Sequence, residues 1–219
     1  MDLDISFGLD YKKATEITDL NVAIDFRVRG DDRLTEASLR SDITRQKGSG
    51  ESGVDDQTRW ELDAFHEYLL ANQRFRNWFG KIESNDATGI NLRTSGGAAI
   101  GKYLKKTRNT WFTVSAGLQA NRENPQQADS ETNIEALGSV RYRYFWYAVP
   151  ERSFDSTFNV YPSLTDSGRT RADLRTTFKL ELVEDLFWSM ELWATYDNKP
   201  LSGSEKTDYG IITSVGWSY

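Results

Sequence analysis

Cysteine is absent from the 219 residues, and histidine occurs once, as His66. Without cysteine there is neither a disulfide framework nor a thiolate metal centre. No apolar run approaches the eighteen or so residues of a membrane-spanning helix. Positive charge is also short: 27 Lys and Arg stand against 33 Asp and Glu, a formal net charge of −6, which disfavours a nucleic-acid partner. No leader is visible, because Met1-Asp2 runs straight into a strand pattern. That fits a mature sequence with an added start methionine, or a soluble protein. With 27% of residues charged and a negative mean hydropathy, composition argues against a membrane. A transmembrane β-barrel escapes the objection, because only alternate residues of each strand face lipid.

What is present is alternation, clearest in the last stretch, Asp208 to Tyr219. Reading back from the end, Tyr219, Trp217, Val215, Thr213, Ile211 and Tyr209 form one set. Ser218, Gly216, Ser214, Ile212, Gly210 and Asp208 form the other, small or polar. Period two means a strand with two unlike faces. An amphipathic strand of a soluble sandwich reads the same way. A terminal aromatic on such a strand, however, resembles the closing strand of bacterial outer-membrane barrels, whose last Phe or Tyr is read by the assembly machinery.

The same unit, about ten alternating residues and a turn, recurs to give twelve expected strands. Strand one turns Leu3, Ile5, Phe7, Leu9 and Tyr11 outward and Asp4 and Asp10 inward. Strand two places Asp25 inside, and strand four sets Trp60, Leu62, Ala64, Tyr68 and Leu70 against Glu61, Asp63 and Glu67. Strand three is weaker, with Glu36, Arg40 and Asp42 inward; strand five is least clear, with Trp78, Gly80 and Ile82 outward. Strand six puts Arg93 inside, strand eight Arg141 and Arg143, and strand ten Arg171, Arg175 and Lys179. The expected architecture is a twelve-stranded antiparallel transmembrane barrel, one domain over residues 1–219.

The connections add independent information. Even-numbered gaps are compact, whereas odd ones such as 46–57, 122–130, 162–170 and 198–206 are long and rich in Gly, Ser, Asn, Asp and Pro. Long and short alternate, with 13–19 the one short odd gap, and a soluble sandwich has no reason to sort its loops by parity. Both termini are then periplasmic. Outward Trp78, Tyr144, Trp146, Trp188, Trp217 and Tyr219 fall at the periplasmic ends and Trp60 near the opposite rim, as membrane-anchor aromatics do.

One segment is recognisable. Glu83-Ser84-Asn85-Asp86-Ala87-Thr88-Gly89-Ile90-Asn91-Leu92-Arg93-Thr94, then Gly97 and Ile100-Gly101-Lys102-Tyr103, resembles the signature of the family filed as domain of unknown function 481, often labelled salt-induced outer-membrane proteins. Val114 to Glu123 resembles that family's next strand. Lys102 departs from the pattern, standing where a small or aromatic residue is expected. The resemblance implies an outer-membrane location and carries over no catalytic residues.

Enzyme chemistry finds little support. Twelve-stranded barrels include a phospholipase with an outer-wall Ser and His, but no Ser lies two residues from His66 on its face. Lumen carboxylate pairs such as Glu61 and Asp63 are too numerous to single one out. Asp31-Asp32 and Asp55-Asp56 lack the spacing of a calcium loop, and Gly96-Gly97 and Gly101 read as relief of crowding rather than a phosphate loop. No metal, cofactor or catalytic residue is expected. The partners expected are outer-membrane lipid, the barrel assembly machinery through the C-terminal strand, and other envelope proteins.

Three functional classes remain, of which an outer-membrane enzyme has the least support. In the first, acidic strands one and four (Asp4, Asp10, Glu61, Asp63, Glu67) face basic strands eight and ten (Arg141, Arg143, Arg171, Arg175, Lys179) across a water-filled bore. The resulting transverse field would serve a small-solute pore. In the second, the same charges meet in salt bridges that close the lumen, and the protein is a structural or partner-binding subunit. The pore is the expected function.

Overall fold

A computed structural model describes residues 2–13, 17–30, 32–47, 54–86, 90–125, 129–183, 186–200 and 206–218. The strands are β1 (Asp2–Lys13), β2 (Ile17–Arg29), β3 (Arg33–Lys47), β4 (Val54–Leu69), β5 (Arg74–Asn85) and β6 (Ile90–Lys106), followed by β7 (Thr110–Pro125), β8 (Glu131–Trp146), β9 (Arg152–Pro162), β10 (Thr170–Val183), β11 (Leu186–Asp197) and β12 (Thr207–Ser218). Each pairs antiparallel with its sequence neighbour, and the sheet curls until β12 returns to β1. The strands outrun the alternating segments read from sequence; β7 continues to Pro125 and β3 to Lys47. Polar residues pair their backbones as well as apolar ones do, so the ladders extend past the apolar band.

The seam corrects the expectation of a closed twelve-stranded barrel. β1 and β12 meet over four pairs, Ser6–Leu9 against Val215–Ser218. Among the described residues beyond Leu9, 10–13 pair with β2 alone, and 207–214 pair with β11 alone. Eleven sequential ladders therefore form a curled antiparallel sheet fastened at one end of its seam and open along the rest. Alternation could not reveal this. It fixes the face each side chain takes and leaves the partner of the two terminal backbones undetermined.

The two faces are inverted relative to a water-soluble protein. Outside, Ile100 is 72% exposed and Leu118 57%, whereas inside, Glu135 is 0% and Glu123 1% exposed. Buried charge and exposed large apolar side chains are the informative departures from the usual pattern. On β5, outward Trp78 and Ile82 alternate with inward Asn77, Lys81 and Glu83, as the weak pattern there suggested. The odd connections reach nine residues at 198–206, and the even ones do not exceed the five of 147–151.

Inward-facing aromatics, unforeseen from sequence, lie on glycines of the neighbouring strand. A methyl group added at Gly101 would sit 2.2 Å from Phe75 Cζ, at Gly97 2.5 Å from Phe79 Cζ, and at Gly210 2.7 Å from Trp193 Cζ2. Each glycine gives a flat bed for a ring that would otherwise not fit the narrow interior. Gly101→Ala should therefore lower the unfolding free energy by about 1–3 kcal/mol, the usual cost of overpacking. Gly80→Ala, whose added methyl finds nothing nearer than 3.8 Å, should be neutral in the same urea titration of detergent-folded protein.

Candidate functional site

The interior is the site that the sequence singles out, and its charges gather in three layers. Nearest the short turns, Glu36 of β3 accepts Arg27 Nε at 2.8 Å, Arg141 Nη1 at 3.1 Å and Arg143 Nη2 at 2.8 Å. Asp155 of β9 accepts Arg141 Nη2 at 2.7 Å and Arg143 Nε at 2.6 Å. β3 and β8 are five strands apart, so these bonds cross the bore. Beside them the Tyr103 hydroxyl donates to buried Glu67, and the Arg143 guanidinium stands 5.8 Å from the Trp111 ring centre.

The middle layer centres on Glu61, 2% exposed on β4. Arg175 of β10, six strands away, donates to it. Lys81 Nζ is 3.2 Å from Glu61, Arg59 3.6 Å and Arg40 3.9 Å. Arg175 Nε lies 3.2 Å from Glu191, its Nη1 3.8 Å from Asp63, and Arg40 bridges to the same Glu191 at 3.3 Å. Nearest the long loops, Arg169 forks between Glu123 at 3.2 Å and Asp197 at 2.7 Å. Arg93 joins Glu123 at 3.1 Å to Glu83 at 2.8 Å. Arg171 grips Glu135 through two bonds of 2.8 and 2.6 Å, the planar bidentate geometry that makes arginine pairs specific.

Glu61, Asp63, Glu67, Arg93, Arg141, Arg143, Arg171 and Arg175 all face inside, and all but Glu67 join these ion-pair layers. Lys179 lies over the Phe187 ring, 3.7 Å from its centre. The side chains of Asp4, Asp10, Asp25 and Trp217, and the whole of Tyr219, fall outside the described residues. Trp60, Trp78, Tyr144, Trp146 and Trp188 face outward, Trp78 and Trp146 being exposed. His66 also faces outward. Its Nδ1 is 2.9 Å from Thr35 Oγ1 and its ring packs between Tyr68 and Trp78, nearer the turn end of β4 than mid-span.

Among the described residues, acidic and basic walls do not form. Glu135, Asp155 and Glu191 stand on the side assigned to the cations and neutralise them locally, and Arg175 crosses to Glu61. The expected open bore with a transverse field is thus corrected to an interior spanned by salt bridges, flanked by chambers of about 240 and 450 Å³. Lys81 and Glu83 escaped notice because β5 has the weakest alternation, and Arg169 because it lies in a loop, where periodicity carries no information.

The molecule is thus an antiparallel sheet curled round a polar, ion-paired interior, with an apolar outer face. Residues 5–219 match the profile described as protein of unknown function, DUF481, and the chain belongs to that family. No curated protein matches the chain. Among solved structures it is similar to the NanC porin in a rhombohedral crystal form, at 9% identity and a TM-score of 0.53, over 99% of this chain and 97% of that one. A bacterial polysaccharide outer-membrane secretin follows at 7% identity and TM-score 0.47, with the same coverage of 99% and 97%. The β-domain of the Bordetella autotransporter BrkA matches at 8% and 0.43, again over 99% and 97%. At such identities the porin likeness is one of fold.

Arg175 serves Glu61, Asp63 and Glu191 together; without it Lys81, Arg59 and Arg40 still stand by Glu61 and Arg40 by Glu191, and Asp63 loses the cation 3.8 Å away. Arg175→Met should cost about 3 kcal/mol, the low end for breaking a buried pair, since the Arg175 side chain is 29% exposed. Adding Asp63→Asn should recover part of that loss, read as the midpoint shift in urea.

Proposed function

We propose that this chain is a bacterial outer-membrane protein of curled β-sheet fold whose interior is closed by its own ion pairs. It acts through its wall and rims as a structural or partner-binding subunit rather than as a channel. The carrying observation is the reach of Arg175 from β10 to Glu61 on β4, seconded by Arg141 and Arg143 on Glu36. Charges drawn out of water are expensive, and pairing with good geometry is what makes their burial tolerable. A wide wet bore would leave each arginine free to solvate instead of stretching across.

The membrane reading draws support from the inverted faces: the outward apolar residues suit acyl chains. In this reading residues 1–219 form one unit with its N-terminus periplasmic, and Trp60, Trp78, Tyr144, Trp146, Trp188, Trp217 and Tyr219 anchor it at the two interfaces. The C-terminal strand is the handle for the assembly machinery, and Asp4, Asp10, Asp25 and Lys179 complete the lumen charge.

Planar-bilayer recording tests the closed lumen. Well-folded wild-type protein should give no discrete conductance steps at 1 M KCl. The quadruple variant Glu36→Ala, Glu61→Ala, Arg141→Ala, Arg175→Ala, stripped of the crossing pairs, should give them. Steady single-channel steps from the wild type would restore the pore.

A further inference from the structure

Outside the wall, at the turn end of β3–β6, stands a cluster of cations that lacks the acids found inside. Arg33 opens β3, Arg74 and Arg76 alternate with inward Phe75 and Asn77 on β5, and Lys102 faces outward on β6; all four are exposed. Register gathers them. Arg33 and Arg76 both pair across from Tyr68 on β4, and Arg74 pairs with Lys102. The guanidinium carbons of Arg33 and Arg76 lie 4.8 and 5.3 Å from the centre of the Tyr68 ring, and Arg76 is 5.3 Å from that of Trp78. An aromatic bed thus holds two like charges side by side. Among the described residues, the carboxylate within ion-pair reach of the cluster is that of Asp32, 3.5 Å from Arg33.

Among the described residues the excess of cations over that one carboxylate is uncompensated, in contrast to every layer of the lumen. It sits where the apolar band ends, beneath Ile100 at 72% exposure, so long basic side chains reach the headgroup level while their stems lie on apolar surface. We propose that this cluster binds the phosphate of an anionic phospholipid of the periplasmic leaflet, with the acyl chains against Trp78 and Ile100. The proposal rests on the outer-membrane reading and its orientation. It also gives Lys102 a role at the position where the family pattern has a small or aromatic residue.

Native mass spectrometry of the full chain in dodecyl maltoside, with phosphatidylglycerol, phosphatidylcholine or lipid A added, provides the test. Phosphatidylglycerol should be retained over phosphatidylcholine. The folded variant Arg33→Gln, Arg76→Gln, Lys102→Gln, checked by heat-modifiable gel migration, should lose roughly tenfold or more of that retention. Arg152→Gln, an exposed cation elsewhere on the same rim, should change nothing. If the triple variant does not fold, Arg76→Gln alone should weaken retention about threefold. Equal retention by wild type and folded variant, or no preference for the anionic lipid, overturns the site. A variant that loses lipid A instead places this rim at the outer surface and overturns the leaflet. Wild-type protein that needs no detergent to stay folded and monodisperse sinks the outer-membrane reading itself.

Discussion

A charge inside a narrow tube with apolar walls must be neutralised within a few ångströms or remain in water. The interior of this sheet solves the problem with pairs that span it, and the rest of the molecule is arranged to permit them. Glu61 and Glu36 each collect three or more cations, from more than one strand. Their partners Arg175 and Arg141 are anchored on a second carboxylate of their own side, Glu191 and Asp155. Each crossing arginine is therefore held at its stem and aimed by a neighbour before it reaches over. A guanidinium suits this use because its fork satisfies two carboxylates at once.

Filling the bore with side chains also constrains its shape. The rings of Phe75, Phe79 and Trp193 occupy space only because Gly101, Gly97 and Gly210 leave it. Aromatic bodies, crossing ion pairs and small chambers together make an interior intermediate between a fully packed small barrel and an aqueous pore. The seam shows the complementary tension. Eleven ladders hold the strands in order, while β1 and β12 share four pairs, so closure depends on the lumen network as much as on the wall.

Most of the wall was legible in the sequence, because period two assigns a face to every residue of a strand whose outside is apolar. On β10 the polar set from Arg171 to Glu181 alternates with the set from Ala172 to Leu182, and loop parity placed the turns. What alternation cannot say is who meets whom through the lumen. Arg175 and Glu61 are 114 residues apart, and whether they touch depends on bore width and side-chain reach. The inward aromatics failed to declare themselves for a related reason. A ring on the polar phase looks like an error of register until the glycine opposite it is known, as with Phe75 and Gly101. The seam was beyond reach, since no pattern within β1 or β12 specifies how far the two ends overlap.

The separation of partners along the chain has a consequence for assembly. Ladders between sequence neighbours, such as β6 with β7, close short loops and can form early. The pairs Glu36–Arg141 and Glu61–Arg175 join residues 105 and 114 apart and cannot form until the sheet has curled. Before that, the same side chains are single charges on one face of an unclosed sheet, costly to place in lipid. The lumen network thus favours the curled state over the open one at the point where the β1–β12 seam contributes least backbone pairing. In that sense the charged interior acts as the clasp of the fold. Under the proposed closed lumen, recognition falls to the outer wall and the two rims.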